Sequence, residues 1–287
     1  MDMLEKIKHA AAFIDGRTSG FRPEVGIILG TGLGGLVDHI AIRHSIEYAD
    51  IPDFPVSTVE GHKGRLIFGE LGGRRIVAMQ GRFHYYEGYT PQQVVFPVRV
   101  MKFLGIARLF VSNASGGTNP TFRVGDLMVI NDHINLIPNP LIGPNIEELG
   151  PRFPDMKGAY DPSLIALATE IAGKEGIKLQ YGCYVGLTGP TFETPQEYHY
   201  VRAIGGDVHY AGNHCGPPYG YSLFRRVDNY RPCFGRLRVA RSGAGAGTPG
   251  REGDDAPVHR DACRTLEWYV VRRRGTAPSG RYGFRMR

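Results

Sequence analysis

A chain of 287 residues with 42% hydrophobic and 22% charged residues is long enough to bury a substantial core, as one large domain or two ordinary ones. Its four cysteines match neither a zinc spacing nor a dense disulfide framework, and no apolar run reaches the ~18 residues of a membrane span. The formal charge of +6 suggests a nucleic-acid or membrane partner, but residues 1–207 carry 19 Lys+Arg against 22 Asp+Glu while residues 208–287 carry 15 against 6, so the basic character belongs to the last part alone.

The opening MDMLEKIKHAAAFIDG mixes acidic and apolar positions where a secretory leader would be basic and then apolar, so a cytoplasmic protein with reduced thiols is expected. The first 207 residues alternate strand-length apolar runs with segments of helical period. That is the signature of an α/β fold, a sheet with helices packed on its faces.

Leu4–Phe13 reads as the first helix and Val25–Gly30 as the first strand, which runs into GTGLGG at Gly30–Gly35. Glycines there let the chain turn sharply and aim backbone N–H groups and the Thr31 hydroxyl at an anion. The spacing also satisfies a dinucleotide fingerprint, but that fold needs a second strand ending in an acidic residue about 20 positions on. Asp50 and Asp53 instead sit in a proline-interrupted loop. His62, in VEGHKG, lies in a Gly-flanked loop, suited to mobile surface or to closing over a site.

Leu66–Gly69 and Arg75–Gln80 read as strands, the second ending in QGRFHYYEGY at Gln80–Tyr89. This loop crowds Arg82, His84, Tyr86 and Glu87 together. Arginine offers planar, always-charged donors for phosphate, and a carboxylate beside a histidine fixes its tautomer; a polar loop capping the sheet would have the same composition. Pro91–Leu104 reads as a helix kinked at Pro97. The strand Leu109–Asn113 then delivers NASGG at Asn113–Gly117, a third turn of small residues whose amides can face an anion. Ligand sites in α/β sheets gather at the carboxyl ends of strands, so the three turns are expected to converge.

The strand Leu127–Asn131, a helix Pro162–Glu175 capped by Asp161, the strand Tyr184–Leu187 and a helix Pro195–Ile204 complete the order. Between the last two, GPTFET at Gly189–Thr194 sets the Phe192 ring beside the Glu193 carboxylate. A purine could stack on the one and donate a ring N–H to the other. A Pro-bounded turn opening the helix is the plain structural alternative. From Val208 the character changes: residues 208–287 contain no Ile and no Lys, against 20 Ile and 7 Lys before them, and hold twelve Gly. A disordered Arg/Gly-rich tail outside the 1–207 domain is expected.

Taken in order, GTGLGG, VEGHKG, MQGRFHYYEGY, NASGG, GPRFPDMKGAYD and GPTFET resemble the trimeric purine nucleoside phosphorylases over about residues 1–207. MQGRFHYYEGY and the spacing of GPTFET from NASGG are the specific signals. The resemblance implies a single α/β domain with a central mixed sheet flanked by helices, and reversible phosphorolysis of purine nucleosides to free base and ribose 1-phosphate, with inorganic phosphate as co-substrate and no metal or organic cofactor. It implies phosphate held by Thr31, His62, Arg82, His84 and the backbone of Ala114, ribose contacted by Tyr86, and the base taken by Phe192 and Glu193. His84 and Glu193 would be the catalytic pair, and Phe153 would reach a neighbouring subunit's site in a homotrimer serving purine salvage.

The family's Met-Ser pair, its later base-contacting residue and its late His cannot be placed after Asp207. Permitted codons for Asp207–Pro232, read one nucleotide later, can spell MSTMPATIAARHTGIPCFGVSTITDL, which resembles the missing segment. A small deletion that shifted the frame after Asp207 is therefore expected, and with it impaired folding and activity. Two other readings compete: a methylthioadenosine phosphorylase, and a non-catalytic chain whose Arg-rich, aromatic tail binds single-stranded nucleic acid.

Overall fold

The computed structural model describes residues 1–30, 34–56, 64–123, 125–210 and 224–228. Thr31, His62 and most of the basic tail lie outside the described residues. Helix α1 (Met3–Arg17) starts at a capping box in which Asp2 accepts from the Glu5 amide and Glu5 from that of Asp2, satisfying two amides that the helix itself leaves open. The first sheet follows as β1 (Val25–Leu29), β2 (Ala41–Glu47), β3 (Arg65–Leu71) and β4 (Arg74–Gln80), joined beyond helices α2 (Pro91–Val94) and α3 (Phe96–Leu104) by β5 (Arg108–Val111). Its order is β2-β3-β4-β1-β5. Strand β1 runs parallel to β4 and β5, while the β2-β3-β4 side is antiparallel.

This sheet is mixed, as expected, and its central strands are buried on both faces. In β4, Ile76 and Ala78 face one core cluster with Ile27, Leu29, Phe110 and Ile171, while Val77 and Met79 face a second with Ile7, Ile14, Val100 and Leu104. Alternate residues that are all apolar leave no polar face. The helix expected over Pro91–Leu104 is divided at Val95, one position before Phe96-Pro97. Proline supplies no amide to the preceding turn and its ring crowds that turn's carbonyl.

The second sheet contains β6 (Ser115–Gly117), β7 (Leu127–Asn135), β8 (Leu179–Gly186), β9 (Val208–Tyr210) and β10 (Phe224–Asp228), with helices α4 (Pro162–Glu175) and α5 (Pro195–Ala203) between its members. The described strands close on themselves in the order β10-β6-β9-β8-β7. The domain boundary expected at Asp207 therefore falls inside the sheet: Val208–Tyr210 pairs with β6 and β8, and the backbone of Phe224–Asp228 with β6 and β7. Backbone pairing and the burial of Val208 and His209 override the loss of periodicity there.

Asp207 is the staple of this sheet. Its Oδ2 accepts from the Cys183 amide at 2.9 Å, its Oδ1 from Asn119 Nδ2 at 2.7 Å, and its carbonyl from the amides of Thr118 and Asn119. Burial, with Asp132 and Asp207 near it, pushes the Cys183 thiol up from its ordinary range.

Gly30, at the end of β1, passes so close to the end of β5 that a Cβ there would lie 2.4 Å from the Ser112 carbonyl oxygen and 2.8 Å from Asn113 Cα. Backbone cannot swing aside as a long side chain can. Gly30→Ala is expected to cost about 1–3 kcal/mol, read as a lower Tm in thermal unfolding, and to part the two strand ends.

Candidate active site

Strands β1, β4 and β5 are parallel neighbours, so the three small-residue turns that follow them start side by side at one edge of the first sheet. Hydrogen bonds tie them together. The Gly30 amide donates to Ser112 Oγ at 3.0 Å, and that hydroxyl donates to the Ile28 carbonyl at 2.9 Å. Arg82, in the loop after β4, donates through Nη1 to the Ser112 carbonyl at 2.6 Å. The expected convergence is present for the described parts of these turns.

Arg82, His84 and Glu87 form a relay. Arg82 Nε donates to His84 Nε2 at 3.2 Å, and His84 Nδ1 lies 2.6 Å from Glu87 Oε1, which also accepts from the His84 amide at 2.8 Å. Since Nε2 accepts from arginine, the proton sits on Nδ1 and is donated to the carboxylate. The His84 and Glu87 side chains are 4% and 2% exposed, so the pair is held away from water, which strengthens its electrostatics. Tyr86 stacks on the imidazole, with ring centres 4.8 Å apart and planes 15° apart.

The loop carrying these groups is anchored from beneath. Tyr48, fully buried, donates to the Gly81 carbonyl at 2.7 Å and packs on Phe83, whose ring meets Tyr89 edge-on. Burial pushes the Tyr48 phenol far above its ordinary range, which keeps it a neutral donor at every working pH. The loop ends at Gly88, in the left-handed region with φ 91°, a backbone shape that favours glycine.

A cavity of about 370 Å3 opens beside the relay, lined among others by Arg82, His84, Tyr86, Asn113, His133 and Tyr184. Asn113 Nδ2 donates to the Tyr184 hydroxyl at 3.3 Å across it, and Tyr160 Oη lies 3.1 Å from His133 Nδ1 at its side. Its guanidinium, imidazole and ring faces suit a small anion and a sugar. Ala114 is half-buried on the next residue of the NASGG turn.

The remaining expected residues are placed differently from one another. Phe192 is 58% exposed, whereas the Glu193 side chain is 6% exposed and has His209 Nδ1 3.2 Å from its Oε2. Phe153 is 87% exposed, with the Arg152 guanidinium 5.9 Å from its ring centre. Sequence reasoning missed Ser112, Tyr184 and His209 as site groups. Ser112 could have been found as the one hydroxyl in the apolar strand LFVSN, but nothing local marks the other two, which arrive from other strands. Among the described residues no group of three His, Cys, Asp or Glu is placed to hold a metal ion, and no helix is long and apolar enough to cross a membrane.

Residues 24–209 match the family model described as the phosphorylase superfamily. The chain is 53% identical over 207 residues to purine nucleoside phosphorylase 1 of Bacillus subtilis, covering 72% of this chain and 76% of that one. It is 48% identical over 218 residues to the purine nucleoside phosphorylase of Mus musculus, covering 71% and 75%. Among solved structures, isoform 2 of the Schistosoma mansoni purine nucleoside phosphorylase, in complex with cytosine and ribose-1-phosphate, is 44% identical. It superposes with a TM-score of 0.68 over 73% of this chain and 75% of that chain. A second Schistosoma mansoni purine nucleoside phosphorylase, bound to a monocyclic inhibitor, is 37% identical with a TM-score of 0.77, over 94% of this chain and 97% of that one.

Proposed function

Because this chain belongs to the phosphorylase superfamily, we infer that it is a purine nucleoside phosphorylase, a pentosyltransferase that cleaves purine nucleosides with inorganic phosphate. The observation that carries the reading is the Arg82–His84–Glu87 relay at three joined strand ends, in a chain that is 53% and 48% identical to enzymes of that name over 72% and 71% of its length. The relatives named are purine nucleoside phosphorylases, which does not favour the methylthioadenosine or nucleic-acid readings.

In the proposed reaction a phosphate oxygen forms a bond to C1′ of the ribose while the glycosidic bond breaks, its electron pair leaving with the purine. Arg82, with the Ala114 backbone, Thr31 and His62, donates to the phosphate oxygens, and His84 holds the same group by accepting at Nε2 from the P–OH of hydrogen phosphate. Glu87 orients His84 by fixing the proton on Nδ1. Tyr86 contacts the ribose; Phe192 and Glu193 take the base, the carboxylate accepting a ring N–H and favouring a purine that carries one. Holding the anion beneath C1′ supplies proximity, and the fixed donors stabilise charge as it develops. Phosphate is a co-substrate, and this chemistry calls for no further cofactor.

A cytoplasmic homotrimer serving purine salvage is part of the same proposal. The exposed apolar residues Leu141, Ile142 and Phe153, at 49%, 71% and 87%, support a subunit contact: Arg152, beside Phe153 in sequence, donates to the Leu141 carbonyl, which brings the two segments together, and apolar side chains gathered on one stretch of surface mark interaction sites. The proposal also includes the frame shift after Asp207, supported by the change in composition there. The experiment is hypoxanthine release from inosine with and without phosphate, beside methylthioadenosine. Release only with phosphate, and only from inosine, supports the reading; cleavage of methylthioadenosine alone would replace it.

A further inference from the structure

His209 stands in β9, fully buried, two residues beyond Asp207. Three contacts define its place. Its Nδ1 is 3.2 Å from Glu193 Oε2, and both side chains are almost wholly covered, 1% and 6% exposed. Its Nε2 lies where a Cβ on Gly116 would be only 2.4 Å away, so the imidazole is laid directly on the backbone of the NASGG turn. The Tyr198 ring meets it edge-on, with centres 4.8 Å apart. A flat heteroaromatic ring that brings a ring nitrogen to Glu193 thus already fills the space between that carboxylate and Gly116.

We propose that His209 is a specificity-determining residue that competes with the nucleobase for Glu193. The inference rests on the base-binding role proposed for Glu193. A carboxylate buried beside an imidazole has little surface left for another N–H donor, and a purine must displace the histidine or share the oxygen with it. Displacement would strand a buried imidazole, which adds to the cost of binding. The contacts that define His209 are with Glu193, Gly116 and Tyr198, on the base side of the NASGG turn rather than at the Arg82–His84–Glu87 relay. The chain therefore keeps its anion site while taking free purine weakly.

The test measures hypoxanthine affinity by calorimetry on the full chain, on His209→Ala and on His209→Thr, each with and without Glu193→Ala. The small side chains open the space over Gly116, and Thr retains strand propensity. Either folded variant is expected to bind hypoxanthine about tenfold more tightly or better, the scale of one freed charge-assisted hydrogen bond, and the gain is expected to vanish with Glu193→Ala. Folded variants with unchanged hypoxanthine affinity, or a gain that survives Glu193→Ala, would overturn the proposal. So would failure of both variants to fold, since His209 would then be a structural residue of the strand. Stabilisation of the same proteins by inorganic phosphate separates the two readings: phosphate binding without a hypoxanthine gain sinks this inference alone, and loss of both sinks the phosphorylase reading of the site.

Discussion

Arg82→Ala is expected to raise the KM for inorganic phosphate about 10- to 100-fold, matching the ~1.5–3 kcal/mol of a hydrogen bond to a charged group. The side chain does two things at once. It offers charged donors at the cavity, and by donating to His84 Nε2 and the Ser112 carbonyl it ties the loop after β4 to the end of β5. Removing it takes away a cation and frees the imidazole to turn. Arg82→Lys should recover only a small part of the loss, because an ammonium cannot make both contacts and face the anion together. Initial rates against phosphate concentration, with folding checked by circular dichroism, decide the matter. An unchanged KM in Arg82→Ala would remove this residue from the phosphate site.

Asp207→Ala is expected to be the most destabilising single substitution of those considered, by about 2–4 kcal/mol. It deletes the acceptor for the Cys183 amide and for Asn119 Nδ2, and it leaves space where the carboxylate packs against Gly182, whose Cβ would be 2.6 Å from Oδ2. A fall in Tm of about 5–10 °C follows for a chain of this size. Asp207→Asn retains one acceptor and should lose about half as much. A Tm unchanged in both variants would show that the β6, β8 and β9 strand ends are held by their backbone pairing alone.

Much of the fold is legible in the sequence where burial imposes a pattern. Strands Val25–Leu29 and Arg74–Gln80 are apolar through their middles because both sides of the sheet are covered there, and Asp161 followed by Pro162 marks a helix start that the structure keeps, Asp161 accepting from the Ser163 amide at 2.8 Å. Strand Ala41–Glu47 was hidden because it is an edge. Its residues are mostly exposed, with Ile42 at 45%, and a bulge between Ile42 and His44 breaks the alternation. Ser115–Gly117 reads as a turn in sequence, since three small residues carry no strand signal until β9 and β10 pair with them.

The site was legible where its groups are neighbours in sequence. Arg82, His84 and Glu87 lie within six positions, and a carboxylate beside a histidine predicts the tautomer that the 2.6 Å contact fixes. Long-range partners left no such mark. Tyr48 reaches Gly81 across 33 positions and Ser112 reaches Gly30 across 82, pairings that only the sheet order creates. His209 falls in the stretch whose composition marks it as a tail outside the fold, although the backbone ladder of β9 places it on Glu193.

The most direct test of the central claim is phosphate-dependent release of hypoxanthine from inosine by two proteins. One is this chain, and the other is the same chain with residues 208–287 replaced by the corresponding carboxy-terminal part of the Bacillus subtilis relative. The account predicts that the hybrid cleaves inosine only when phosphate is present, that Arg82→Ala in the hybrid suppresses it, and that the unaltered chain is slower by about 100-fold or more, the scale of losing base contacts worth ~3 kcal/mol. A folded hybrid that releases no hypoxanthine with phosphate, or that releases it equally well without, would contradict the claim that residues 1–207 form a purine nucleoside phosphorylase site.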